Sequence, residues 1–263
     1  MSIVCGIKLD TDHVFVPKQN TIHIGKRFET KNFGWAEVID GDFSHLRIRF
    51  DNTGNERVLG KNCVFNKNAK DLYAPFIAGV AAIGNVKKSL HLKEYKMWHH
   101  MIERCYNPRE PYYPSYGGAG VTVSERWLVF EYFLEDYEKI EKVHPPNYKG
   151  LLELDKDFKQ FDTPLNNRIY SLETCALVSK EVNQICRGPS LFFNAYHENG
   201  IVEKNCNVNW FIRKYPNTKR TGIQNCMNPK KPLATYKGWK FERVEATKEV
   251  VWELIRKING TEE

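Results

Sequence analysis

The chain has no CxxC pair among its seven cysteines, which stand at positions 5, 63, 105, 175, 186, 206 and 226. An odd, scattered set argues against a disulfide framework and against a thiolate zinc knuckle, and leaves buried reduced thiols as the expectation. No apolar run approaches the roughly 20 residues that a bilayer requires, so no membrane span is expected. The opening Met1–His13 stretch lacks a cationic flank followed by a long apolar segment. It does not read as a secretion signal, and the expected location is the cytoplasm. No heptad or symmetric apolar patch fixes an oligomeric state, so a monomer and a homodimer both stay open.

What is present is enough for a folded protein. Hydrophobic residues at 41% and charged residues at 27% exclude a disordered or fibrous chain. A length of 263 residues suits two compact units or three small ones. The net charge is +7, but its placement says more than its total. Between Arg187 and Lys240 the chain carries ten Lys or Arg against Glu198 and Glu203, a segment charge of +8 that leaves about −1 for the rest. Trp210, Tyr215, Tyr236 and Trp239 are interleaved with those cations, a composition that suits polyanion binding as well as a solvated basic face.

Residues from Gly25 to Asp71 alternate as short strands. Trp35–Ile39, a turn at Asp40-Gly41-Asp42 and the alternating Leu46–Phe50 read as a hairpin, with another tight turn at Asn52–Asn55. A small β-barrel-like domain is expected, with Arg47, Arg49, Arg57 and Lys61 as candidate phosphate contacts. Ala74–Asn85 reads as a connector. Trp98, Met101, Ile102 and Cys105 then fall on one helical stripe that ends at Asn107-Pro108. After an aromatic and glycine-rich loop over Tyr112–Gly120, Ser124 is placed to cap a second amphipathic helix through Trp127, Phe130, Leu134 and Tyr137 that runs to His144.

Leu151–Leu154 reads as a strand ending in Asp155-Lys156-Asp157. A loop with Pro164–Asn167, a strand from Arg168 onward and a helix capped by Ser179 and carrying Asn183 complete a strand, loop, strand, helix order. Such a ββα unit brings a carboxylate at a strand end beside an amide on a helix. Further on, Glu198-Asn199-Gly200 marks a hairpin. Asn207 caps a helix bearing Val208, Phe211, Ile212 and Tyr215, and after the Pro216-Asn217 break Thr218 is placed to cap a second one bearing Ile223, Cys226 and Met227. Two short helices across a tight break suit a helix-turn-helix, or any αα-hairpin. Val251, Leu254, Ile255 and Ile258 form a terminal amphipathic helix.

Tyr95–Pro108, with Trp98, Met101, Arg104, Cys105 and Asn107, followed by Tyr116-Gly117-Gly118-Ala119-Gly120, Arg126-Trp127 and Phe130, resembles the front half of a phage-type group of HNH endonucleases. Leu154–Asp157, Tyr170–Cys175, Val178-Ser179 and Asn183 look like that group's degenerate ββα-metal block, and Tyr236–Phe241 matches the strand that ends its C-terminal helix-turn-helix module. The resemblance implies an α+β protein of three parts: residues 1–85 a small β-rich domain, 86–188 an HNH-like nuclease domain with helices, and 189–263 a basic helix-turn-helix module with a terminal helix. It implies metal-dependent hydrolysis of double-stranded DNA, by nicking or double-strand cleavage. Asp155 and Asn183 would hold Mg²⁺ or Mn²⁺, and Arg187, Arg213, Lys214, Lys219, Arg220, Lys230, Lys231 and Lys237 would engage DNA.

The chemistry behind that block needs a hard cation to neutralise charge on the scissile phosphate and a base to prepare water. A carboxylate with an amide oxygen suits Mg²⁺, which keeps water or phosphate in its other positions. Here the family's catalytic histidine position is Lys156. Lysine at its ordinary pKa of about 10.4 is protonated at neutral pH, so the residue is either a base tuned by its surroundings or a phosphate clamp. The middle polar position falls on Thr174, with Asn167 as the other candidate for the orienting role. Asp157, His99, His100 and His144 are alternative bases. Two rival readings remain open: a DNA-binding protein on the same scaffold without hydrolysis, and a protein that binds a host factor through its N-terminal β-domain.

Overall fold

The computed structural model describes residues 24–186, 191–230 and 232–260, together with the backbone of two short paired strands, β1 (Ile3–Val4) and β2 (Ile7–Lys8). The protein is α+β, with several separate sheets. The chain divides into two compact units, Met1–His91 with Leu128–Glu131, and Leu92–Trp127 with Tyr132–Glu263. Residues 189–263, expected as a third domain, thus fall in the same unit as the central block.

In the first unit β3 (Arg27–Glu29), β4 (Trp35–Gly41), β5 (His45–Phe50) and β6 (Glu56–Gly60) form an antiparallel sheet in the order β3-β4-β5-β6. The hairpin and the Asn52–Asn55 turn lie where the alternation puts them, while the first turn falls at Asp42–Ser44, because Asp40 and Gly41, expected in it, still pair with Arg47 and Leu46. Ala36, Val38, Leu46, Ile48 and Phe50 turn inward and pack with Val64 of α1 (Lys61–Phe65) and with Ala69. Among the described residues the sheet stays open where a barrel was expected: β3 and β6 pair on one side only, and α1 with the following turn covers the apolar face that closure would have buried.

The second unit opens with α2 (Leu92–Tyr106), whose buried stripe is the expected Trp98, Met101, Ile102 and Cys105. The Trp98 indole donates to the Trp127 carbonyl at 2.7 Å. The loop after α2 lies so close to the helix end that a Cβ on Gly117 would sit 1.9 Å from the Cys105 carbonyl oxygen, so only glycine fits. After β7 (Thr122–Val123) the expected single helix is split. A 3₁₀ turn over Glu125–Leu128 precedes α3 (Phe130–Tyr137), and Ser124 opens the turn through its backbone carbonyl and does not cap α3. The segment expected to continue the helix is β8 (Glu141–Val143). A three-residue edge strand has too few residues for a period, and its ladder is supplied by a partner distant in sequence.

That partner is β11 (Ala176–Val178), which pairs parallel with β8 and antiparallel with β9 (Glu153–Asp155), giving the order β8-β11-β9. Between them β10 (Ile169–Tyr170) pairs parallel with β7. The helix α4 (Lys180–Cys186) follows β11 directly, and the Ser179 hydroxyl accepts the Val182 N–H as its cap.

The C-terminal part is a three-stranded antiparallel sheet, β13-β12-β14, made of β12 (Phe192–His197), β13 (Val202–Asn207) and β14 (Trp239–Val244). It carries α5 (Val208–Lys214) and α6 (Arg220–Cys226). Asn207 caps α5 as expected, accepting the Trp210 N–H at 2.9 Å. Thr218 does not cap α6. Lys219 holds the N-cap position, while the buried Thr218 hydroxyl donates back to the Tyr215 carbonyl. Phe193, Phe211, Trp239 and Phe241 meet edge to face in the core beneath both helices.

The terminal helix α7 (Lys248–Asn259) does not pack on that core alone. Val251, Leu254 and Ile255 join Val143 of β8, Ala176 and Val178 of β11, Val182 of α4 and Phe192 of β12 in one buried cluster. This shared core ties the C-terminal sheet to the ββα block. Leu254 is fully buried there. Leu254→Ala is expected to cost about 2–5 kcal/mol of unfolding free energy, measured by urea denaturation followed by tryptophan fluorescence; a loss below about 1 kcal/mol would show that α7 is an appendage.

Candidate active site

The register of the β9–β11 pair sets the site. Ala176 lies opposite Asp155 and Val178 opposite Glu153. Side chains two apart on a strand share a face, so Glu153 and Asp155 share one and Leu154 takes the other. α4 lies against the Glu153 face, where the Asn183 side-chain amide donates to the Glu153 carboxylate. The carboxylate bonded to Asn183 is therefore that of Glu153, and Asp155 stands one pleat further along the same face. Glu153 was missed in the sequence reading; its two-residue spacing from Asp155 on a strand is the signal that could have found it.

Asp155 is 3% exposed, and its carboxylate accepts the Phe158 N–H at 2.7 Å. Burial, with the nearby charge of Asp157, pushes its pKa up to about 6. Lys156 is as deeply buried. Its ammonium is 2.6 Å from Asp157 Oδ1 and lies over the rings of Tyr116 and Tyr170, 4.9 and 5.5 Å from their centroids. Asp157 also takes the Arg168 guanidinium at 2.7 Å. Both residues thus belong to an enclosed ion-pair network.

The remaining candidates separate. Thr174 shapes the turn after β10: its hydroxyl donates to the Ile169 carbonyl and accepts the Ser171 N–H. Asn167 lies exposed in a 3₁₀ turn. The loop that carries it is held by buried Gln160, which donates to the Lys156 and Ile169 carbonyls and accepts the Ile169 N–H. His144 is engaged through Nδ1 with the Pro145 carbonyl.

Glu153 and Asn183 form one wall of a cleft of about 780 Å³. The cleft is also lined by α2, with His99, His100, Glu103 and Arg104, and by Glu110, Tyr112 and Tyr116. Arg104 stacks on the Tyr116 ring at 4.7 Å and donates to the His100 carbonyl. Tyr116, in the glycine-rich loop, thus has both the Arg104 and the Lys156 cations within 5 Å of its ring centroid. Buried Cys105 and Cys175 stand close by, and burial raises their thiols to about 11 and about 12, which makes them poor nucleophiles.

Of the expected DNA-contacting residues, Arg187 and Lys231 lie outside the described residues. Arg213 binds Gln184 of α4 at 2.5 Å, Lys214 pairs with Glu203 at 2.7 Å, Arg220 bonds Asn209, and Lys237 donates to the Asn217 carbonyl. Lys219 and Lys230 are exposed. In the first unit, Arg47 and Arg49 share Glu56, and Arg57 donates to the Lys70 carbonyl.

Among the described residues no three His, Cys, Asp or Glu side chains converge on a common point, and no helix is long and apolar enough to cross a membrane. No family model, curated protein or solved structure matches the chain.

The raised Asp155 pKa has a defined sign. The neutral carboxyl is favoured in the fold, so its contribution is fully present below the unfolded value of about 3.8 and is lost as pH rises through about 6. Asp155→Asn removes the ionisation and keeps an oxygen for the Phe158 N–H. The variant is expected to be more stable than the parent by about 2–3 kcal/mol at pH 7.5, with the gain vanishing below pH 4, as read by urea denaturation at both pH values.

Proposed function

We propose that the protein is a Mg²⁺- or Mn²⁺-dependent endonuclease of the HNH type acting on double-stranded DNA. The observation that supports this reading is the β9–β11–α4 unit, which bonds Glu153 to Asn183 of the following helix at the wall of an open cleft, with buried Asp155 one pleat further along the strand. The residues fit a hard cation. Asn183 gives its amide N–H to Glu153, which leaves the amide oxygen as a donor. Asp155 is a carboxylate whose charge is disfavoured by burial and would be stabilised by a divalent ion. Two or three oxygen ligands suffice for Mg²⁺, since water and phosphate fill its other positions.

Asp155 and Asn183 would hold the ion, with Glu153 orienting Asn183 or joining the ligand set. When bound, the ion supplies charge neutralisation at the scissile phosphate. Arg104, fixed on Tyr116 at the cleft, is suited to grip a phosphate oxygen. Lys156, enclosed with Asp157, acts as a fixed positive charge behind the site. The basic C-terminal segment, whose α5 and α6 we read as a helix-turn-helix, supplies DNA affinity through phosphate contacts.

Supercoiled plasmid incubated with the pure protein and Mg²⁺ or Mn²⁺ is expected to be nicked or linearised. Asp155→Ala and Asn183→Ala are expected to lower the rate about 100-fold or more, equivalent to about 2.7 kcal/mol of transition-state stabilisation. Binding without nicking by the wild type would favour the scaffold that has lost hydrolysis, a reading that the enclosure of Lys156 in its ion pair also favours.

DNA affinity provides a separate check. Replacing Lys219 and Lys230 together by Ala is expected to weaken binding equally across sequences and to make the slope of log K against log salt shallower by about 2, measured by fluorescence anisotropy. An unchanged slope would remove the C-terminal helices from the interface.

A further inference from the structure

Resting on the nuclease reading, we infer that His99 of α2, positioned by Glu103, is the base that prepares the attacking water. The strand-end position that should supply a base holds Lys156, whose nitrogen is committed to Asp157 and two ring faces. Asp157 is itself shared between Lys156 and Arg168. His144 is bonded to the Pro145 carbonyl and does not line the cleft. The two histidines that do line it, His99 and His100, come from α2 and share the cleft with Glu153 and Asn183.

Only His99 has a carboxylate partner. Its Nε2 stands 3.9 Å from Glu103 Oε1, one helical turn on. The other oxygen of Glu103 accepts the Asn107 side-chain amide at 2.5 Å, so the residue that ends α2 fixes the carboxylate that faces His99. A carboxylate facing one ring nitrogen favours the N–H there and leaves the other nitrogen to accept a proton, the division of labour a general base needs. At 3.9 Å the contact is longer than a hydrogen bond and would tighten with substrate bound. Tyr95 packs against the ring at a tilt of 44°, with the centroids 5.6 Å apart. The other ionisable groups around it are His100 on the same helix and Arg104, Glu110, Tyr112, Tyr116 and Glu153, which line the same cleft.

In the step itself His99 takes a proton from water, and the resulting hydroxide oxygen bonds to phosphorus. The bond from phosphorus to one ester oxygen breaks, and that oxygen leaves with a proton from bulk water. His99 then returns its proton to solvent. Glu103 touches no reacting atom and acts as a positioning residue.

The test uses the full chain on supercoiled plasmid from pH 5 to 9 at saturating Mg²⁺, so that the Asp155 titration does not mask the result, with circular dichroism confirming that each variant is folded. The wild-type rate is expected to rise with pH to a plateau, as for a step that needs a deprotonated base. His99→Ala is expected to lose about 100-fold and the acid limb with it, with partial recovery in added imidazole. Glu103→Gln is expected to lower kcat about 10-fold with KM for plasmid unchanged, and to add nothing further in the His99→Ala background. A His99→Ala rate within about 3-fold of wild type, or loss of the limb in His100→Ala instead, would overturn the assignment of His99 alone. A wild type without nicking activity sinks the nuclease reading and this inference together.

Discussion

Pairing of β9 with β11 across twenty residues of intervening chain is the constraint on which the candidate site depends. The register that sets Ala176 opposite Asp155 fixes which face Glu153 and Asp155 share, and the Ser179 cap fixes where α4 starts. Slipping the pair by one residue would turn both carboxylates away from Asn183 and put Leu154 in their place. The register is protected from both sides. Ala176 and Val178 reach into the core shared with α7, and Gln160 locks the long loop to the start of β10 through three hydrogen bonds.

The same fold keeps several charges where water is scarce. Asp155, Lys156, Asp157 and Arg168 cluster behind the cleft, and the aromatic faces of Tyr116 and Tyr170 complete the enclosure of the lysine. Removing one partner from such a group leaves another buried and uncompensated, which costs more than the pair contributes while intact. A protein that retains this arrangement gives up stability that an apolar core of equal volume would recover. That is the pattern expected where charge has a task other than holding the fold together.

Much of the secondary structure was legible because it rests on local periodicity. The α2 stripe, the β4–β5 hairpin, the Asn207 and Ser179 caps and the apolar face of α7 all follow from spacing and capping chemistry. The failures have the opposite character. β7 and β8 are too short to show a period and exist because a distant strand supplies their hydrogen bonds, and the strand expected from Arg168 onward is broken into β10 and β11 by the turn that Thr174 shapes. The expected barrel is an open sheet because α1 covers the face that closure would have buried, which alternation along a strand cannot reveal.

At the site, the resemblance to the HNH group singled out Asp155, Lys156 and Asn183 on their types and order in sequence. Residue types also raised the histidines of α2 as candidates, since chemistry restricts which side chains can bind a hard cation or take a proton. Which of them meet was decided only by the tertiary structure. Folding gave Asn183 to Glu153, drew Lys156 and Asp157 into an enclosed ion pair, turned Thr174 to shaping a loop, and brought α2 to line the same cleft. Each of these outcomes depends on strand register and on packing between segments far apart in the chain. A linear sequence encodes such distances only through the fold as a whole.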